Sequence, residues 1–145
     1  MSEDPGYSRF FSYVSFFTFA MLLLVTANHF LQLFIGWEGV GVASYFLIGF
    51  WRERNDAANG SFKAFIVNRI GDFGLLMAMI LLLYYLNDLS FHGVITGVDV
   101  LRTKVLDLGV LGGYPAIEVI AFCLWIGAMG KSAQIPLHVW LPESM

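Results

Sequence analysis

From Phe10 to Trp51 the chain runs almost without charge, and the polar step Thr26-Ala27-Asn28-His29 divides the stretch. A helix crossing the hydrocarbon of a bilayer needs about 20 mostly apolar residues, so this stretch is too long for one crossing and suits two. The pattern predicts one span over residues 10–26 and a second over 31–51. A polar segment, 52–60, follows. Apolar sequence resumes over 61–86 and ends in Tyr84 and Tyr85, whose wet-tipped rings favour a membrane interface. Residues 87–115 are mixed and hold Asp88, Asp99, Arg102, Lys104 and Asp107. That is long for a structureless loop, so a short interfacial helix over 98–108 is expected. A fourth span, 116–145, is interrupted near Pro136, which removes a backbone donor and crowds the preceding turn. The fold class read from this pattern is all-α: a polytopic transmembrane helix bundle of about four spans with a broken last helix, forming one membrane region over 1–145.

Composition sharpens that picture. The chain has 145 residues, of which 58% are hydrophobic and 13% charged, against roughly 25% charged in an ordinary soluble domain. So few charges could not cover a water-soluble globule. The net charge of −3 comes with no basic cluster, so nucleic acid is excluded as a partner. With Cys123 alone, neither an internal disulfide nor a cysteine metal site can form. The acidic start, Met1-Ser2-Glu3-Asp4-Pro5, is neither a secretory n-region nor an Arg-rich transit peptide. Arg52, Arg54 and Lys63 place the connection after the second span on the inner side of the membrane, with the N-terminus on that same side. The glycosylation pattern Asn59-Gly60-Ser61 would then never meet the transferase and is read as chance.

The charges left inside the spans carry the chemistry. Glu38 falls near the middle of the second span, where an ionisable group has to face a partner or a wet cavity and not lipid. Gly36, Gly39 and Gly41 flank it, and Gly39 with Ala43 makes a small-xxx-small pair suited to close helix approach. Arg69 and Asp72 are three apart on the third span and can pair along one helix face, with Asn68 beside them. Such a pair either only neutralises itself or opens and closes, altering the field felt by nearby ionisable groups. Lys131 precedes the Pro136 break, and broken helices at membrane depth are tolerated where they are buried in protein or line a wet cavity. That makes Lys131 a candidate for a proton pathway, against the alternative of a lysine snorkelling at a span end. His29, His92 and His138 do not read as a haem or metal set, because the first two fall in connections. His138, beside the break, is either a proton-relay residue or a hydrogen-bonded structural histidine.

Taken together, Gly36-Trp37-Glu38-Gly39-Val40-Gly41, Val67-Asn68-Arg69-Ile70-Gly71-Asp72-Phe73-Gly74 and Gly130-Lys131-Ser132-Ala133-Gln134 resemble the chain 5 family of NADH:ubiquinone oxidoreductase, the antiporter-like membrane subunits of respiratory complex I. The resemblance covers nearly the whole chain and is weakest over 87–115. It implies an inverted-repeat antiporter-like fold in which these spans are the fourth to seventh helices. It implies that Glu38 is the carboxylate of the fifth helix and Lys131 the lysine of the broken helix, both transferring protons, and that Arg69 and Asp72 form a modulating charge pair. It also implies that NADH, FMN, iron–sulfur clusters and ubiquinone are bound by other subunits, with no cofactor or metal on this chain. The expected partners are the other membrane-arm subunits, lipid, and a separate polypeptide carrying the remainder of chain 5, since family members are several times longer. A split membrane subunit suits an organelle genome, so the expected location is the mitochondrial inner membrane, multi-pass, with a bacterial plasma membrane as the alternative. The rival readings are a subunit of a multisubunit Na⁺/H⁺ antiporter and a purely structural membrane subunit. Asn28-His29 departs from the family pattern at the outer surface.

Overall fold

The computed structural model describes residues 5–51, 53–107 and 113–144. Its elements, in chain order, are α1 (Tyr7–Val25), α2 (Phe30–Ile48), α3 (Asn55–Leu86), α4 (Phe91–Thr96), α5 (Val98–Thr103), β1 (Val105–Asp107), β2 (Gly113–Pro115), α6 (Ala116–Lys131) and α7 (Leu141–Ser144). The helical bundle is as the sequence pattern predicts. By length and composition α1, α2 and α3 can each cross a membrane. Helix α6, at 16 residues, is about 24 Å long at 1.5 Å per residue, short of a hydrocarbon core of about 30 Å. The chain beyond it runs through turns to the short helix α7.

Helix α3 is the centre of the bundle, with α2 on one side and α6 on the other, while α1 packs on α2. It starts at Asn55, six residues ahead of the predicted span, because a polar turn at the surface keeps its intrahelical hydrogen bonds whether or not it is in lipid. It ends at Asn87, whose left-handed backbone (φ 53°) suits a side chain that tolerates that conformation. The α1–α2 turn meets the end of α3: Phe30 N donates to Leu89 O at 2.8 Å and Phe91 N to Asn28 O at 3.1 Å. His29 caps α2, its Nδ1 accepting from Leu31 N at 3.2 Å. The opposite end of the bundle gathers Phe10 against Phe50 and α7 against the start of α3, where Lys63 pairs with Glu143. Successive long helices therefore run up and down. Arg52, part of the charge reading of the 52–60 segment, lies outside the described residues.

The connection after α3 corrects the sequence reading. The helix expected over 98–108 ends at Thr103, and a second short helix, α4, precedes it. Beyond it β1 and β2 pair antiparallel in the register Val105↔Pro115, Leu106↔Tyr114, Asp107↔Gly113; residues 108–112, into which that call ran, lie outside the described residues. A buried cluster of Ala78, Met79, Leu82, Leu89, Leu101, Ala116 and Ile120 fixes this connection over the ends of α3 and α6. Much of the remaining apolar surface points outward, with Phe19, Phe73 and Tyr84 among the most exposed large side chains.

The break in the fourth span also differs. Helix α6 stops at Lys131, not at Pro136. A proline ring clashes with the carbonyl four residues earlier, here that of Ser132, and disfavours helix at the residue before it. The end is a Schellman-type turn: Ala133 is left-handed (φ 50°) and Gln134 N reaches Met129 O at 3.2 Å.

Asp88 holds the first turn of the connection. Its Oδ1 accepts from Ser90 N at 2.8 Å and its Oδ2 from Ser90 Oγ at 2.9 Å, and Ser90 Oγ in turn accepts from Gly93 N at 3.0 Å as the cap of α4. The Ser90 backbone donor, then the Ser90 hydroxyl, hold the Asp88 carboxyl below the usual carboxylate range. A depressed pKa contributes order that is complete above the ordinary carboxylate value, about 4, and is lost as pH falls below it. Hydrogen exchange at Ser90 and Gly93 is expected to stay slow down to about pH 4 and to quicken below. Asp88→Ala should remove that pH dependence.

Candidate functional site

Glu38, Arg69, Asp72 and Lys131 come from three different helices and meet on the faces where α2, α3 and α6 pack. Close backbone approach is what permits the meeting. A Cβ on Gly71 would stand 2.9 Å from Gly130 Cα, and one on Gly74 would stand 2.8 Å from Cys123 O. These glycines let α3 and α6 touch backbone to backbone, as small residues do between membrane helices. Gly36 and Gly39 serve the other face of α2, where a Cβ would meet Leu24 and Ala20 of α1.

Lys131 is the last residue of α6, where the negative end of the helix dipole favours a cation. Its stem runs toward α2: a Cβ on Gly41 would lie 2.6 Å from Lys131 Nζ. The ammonium nitrogen is buried and makes no hydrogen bond among the described residues. The ring of Trp37 lies beneath it, with Nζ 5.7 Å from the ring centroid, within cation–π range. Asp72 and Glu38 both act on it electrostatically, Asp72 the more strongly. Asn68 Oδ1, one turn before Asp72, is likewise buried without a hydrogen bond among the described residues.

The expected Arg69/Asp72 pair is corrected. Arg69 Nη1 pairs with Glu38 Oε2 on α2, and its guanidinium carbon lies 4.7 Å over the Phe65 ring. Asp72 accepts a hydrogen bond from Trp37 Nε1 at 2.6 Å and is 5% exposed. Neighbours on a helix can pair, yet a bidentate planar cation is drawn to whichever carboxylate presents the better geometry, and α2 supplies one. Glu38 thus has its partner across the helix interface. Phe34, Glu38, Arg69, Asp72, Phe73 and Leu76 line a pocket of about 240 Å³ that opens on the bundle surface. His138 is exposed on the turns after α6, and the hydrogen bonds and ion pair that join this cluster do not involve it.

Sequence reasoning gave Trp37 no role. The signal was there: an indole N–H at membrane depth needs an acceptor, and this one directly precedes the intramembrane Glu38. Trp140, on the broken segment, shows the same need by donating to Gly130 O at 3.1 Å, which occupies a carbonyl freed by the end of α6.

Substitutions at the glycines separate scaffold from site. Gly71→Ala meets backbone that cannot yield, at a typical overpacking cost of about 1–3 kcal/mol, and should lower the amount of stably assembled subunit. Gly41→Ala meets only the tip of a flexible lysine, so the subunit should assemble with Lys131 displaced. A double-mutant cycle on thermal stability should give Arg69 and Glu38 a coupling of about 0.5 kcal/mol or more, toward the low end because the Arg69 side chain is 41% exposed. The same cycle for Arg69 and Asp72 should give less. The reverse order would remove the cross-helix pairing.

A family model for the transmembrane region of NADH:quinone oxidoreductases and Mrp antiporters matches residues 27–145. The chain is 47% identical over 144 residues to NADH-quinone oxidoreductase subunit L of Neisseria meningitidis serogroup A, covering 99% of this chain and 21% of that protein. It is 46% identical over 145 residues to NADH-ubiquinone oxidoreductase chain 5 of Podospora anserina, covering 100% of this chain and 21% of that protein. With chain 5 of Dictyostelium discoideum the identity is 47% over 147 residues, covering 100% and 22%. The chain spans about a fifth of the length of these curated relatives.

Proposed function

Because this chain belongs to the transmembrane family shared by NADH:quinone oxidoreductases and Mrp antiporters, we propose that it is part of the proton-translocating membrane arm of a NADH:quinone oxidoreductase. The whole subunit would work within that enzyme, where electron transfer from NADH to quinone drives proton movement. The observation that carries this reading is the position of Lys131: a buried ammonium at the end of a broken helix, beside Asp72 and Glu38 from two other helices. In a poorly screened interior, opposite charges act on each other over longer distances than at a surface. Each therefore sets how tightly the other holds its proton, and alternation between protonation states makes one step of a relay. Arg69, bound to Glu38, biases the same exchange. The exposed imidazole of His138 is available to pass protons between the broken segment and water.

In this proposal the chemistry of NADH, FMN, iron–sulfur clusters and ubiquinone belongs to other subunits, and this chain holds no redox group. Its partners are the neighbouring membrane-arm subunits and lipid. The membrane is the mitochondrial inner membrane or a bacterial plasma membrane, with the loop holding Arg54 on the inner side. The family description also names Mrp antiporters, which supports Na⁺/H⁺ antiport as the second reading. Flavin and iron–sulfur subunits co-purifying after gentle detergent extraction would favour the enzyme; their absence would favour the antiporter.

Glu38→Gln and Lys131→Met should each leave the complex assembled while lowering the protons moved per electron, because proton transfer along this path slows by roughly 100-fold or more when a positioned donor or acceptor is lost. Proteoliposomes containing the purified complex give that ratio. Unchanged ratios in both assembled variants would take the path away from these residues.

A further inference from the structure

Trp37 touches the proposed proton path at two points. Its ring nitrogen donates to Asp72 at 2.6 Å, and its ring face carries the Lys131 ammonium at 5.7 Å. A membrane-buried indole needs one acceptor, and a backbone carbonyl is enough, as Gly130 O is for Trp140. Trp37 takes a carboxylate instead, and one with a guanidinium three residues away on its own helix. Its neighbour Glu38 takes that guanidinium. Consecutive residues of α2 therefore hold the two members of a couple that helix spacing would join.

We propose that Trp37 is a positioning residue: its N–H holds Asp72 toward Lys131 and away from Arg69, while its ring face seats the Lys131 ammonium. The inference rests on a proton path through Glu38 and Lys131. Without the N–H, Asp72 can swing to Arg69 on the same helix face, since residues three apart are neighbours. Arg69 then leaves Glu38, and the charges around Lys131 change without any change in the helix packing. Trp37→Phe probes the donor, because it removes the N–H and keeps an aromatic face, though a smaller one.

The test uses the full-length subunit within the assembled enzyme complex, in proteoliposomes. Trp37→Phe should assemble normally, lower protons per electron about tenfold or more, as loss of one hydrogen bond to a charged group would, and displace the pH profile of pumping. A role in packing alone would leave that profile in place. Asp72→Leu should lose at least as much, and Trp37→Phe with Asp72→Leu should pump no worse than Asp72→Leu alone, because both act through one carboxylate. A wild-type ratio and pH profile in Trp37→Phe would overturn the inference, as would losses that multiply in the double variant. Should Trp37→Phe fail to assemble, Trp37→His, which keeps a ring and a donor, decides: pumping retained supports the role, and pumping lost at normal assembly overturns it. If Glu38→Gln and Lys131→Met pump normally, the path itself falls and this role with it. If those two variants fail while Trp37→Phe pumps normally, the path stands and the role of Trp37 falls.

Discussion

The contact between Gly71 and Gly130, backbone against backbone, sets the place of everything else in the site. With no Cβ on either residue, α3 and α6 approach until Gly71 and Gly130 meet, a separation that any side chain would widen. Lys131 follows Gly130 directly, so its depth in the bundle and its distance from α2 are consequences of that contact. Asp72 follows Gly71 and takes its depth in the same way. The two charged residues are adjacent to the two glycines because the close approach and the meeting of charges are one event in the fold.

A membrane interior offers little water to solvate an ion, so charges there are accommodated by one another and by polarisable neighbours. Each of the three helices contributes differently to that. Helix α2 brings an indole and a carboxylate, α3 a guanidinium and a carboxylate, and α6 an ammonium at its own negative end. Two acidic and two basic side chains are thereby gathered from three helices. What distinguishes the cluster from inert pairing is the unequal sharing: Arg69 has a direct ion pair, and Lys131 has a ring face and more distant fields. The cation without a hydrogen bond among the described residues is the one at the end of α6.

The spans were legible because burial in lipid demands long apolar runs, and α1, α2 and the later part of α3 announce themselves that way. The early start of α3 at Asn55 was hidden, since a polar helical turn and a polar loop look alike in hydropathy. The strands β1 and β2 are too short, at three residues each, to show an alternating period. The stop of α6 at Lys131 could have been read from Pro136 by counting back to the carbonyl its ring would strike, at Ser132. Glu38, Asp72 and Lys131 were legible as candidates because ions inside a span have few harmless explanations. The partner of Arg69 was not. Spacing along one helix tells which residues can reach each other, and the choice between Asp72 and Glu38 is made by a neighbouring helix whose placement depends on glycine contacts far along the chain.

The two backbone hydrogen bonds joining residues 28–30 to 89–91 work as a fulcrum. They pin the start of α2 to the end of α3 at one surface, while at the other the chain passes from Ile48 to Asn55 and Gly49 packs against Ser61. Trp37 and Glu38 lie roughly 10–12 Å along α2 from the pinned start, at 1.5 Å per residue. On so short a lever arm a tilt of about 5° displaces them by only about 1 Å, the scale of a hydrogen bond stretching. The far end of α2 is held in turn by Gly49 against Ser61, so the donor and acceptor meet between two ties.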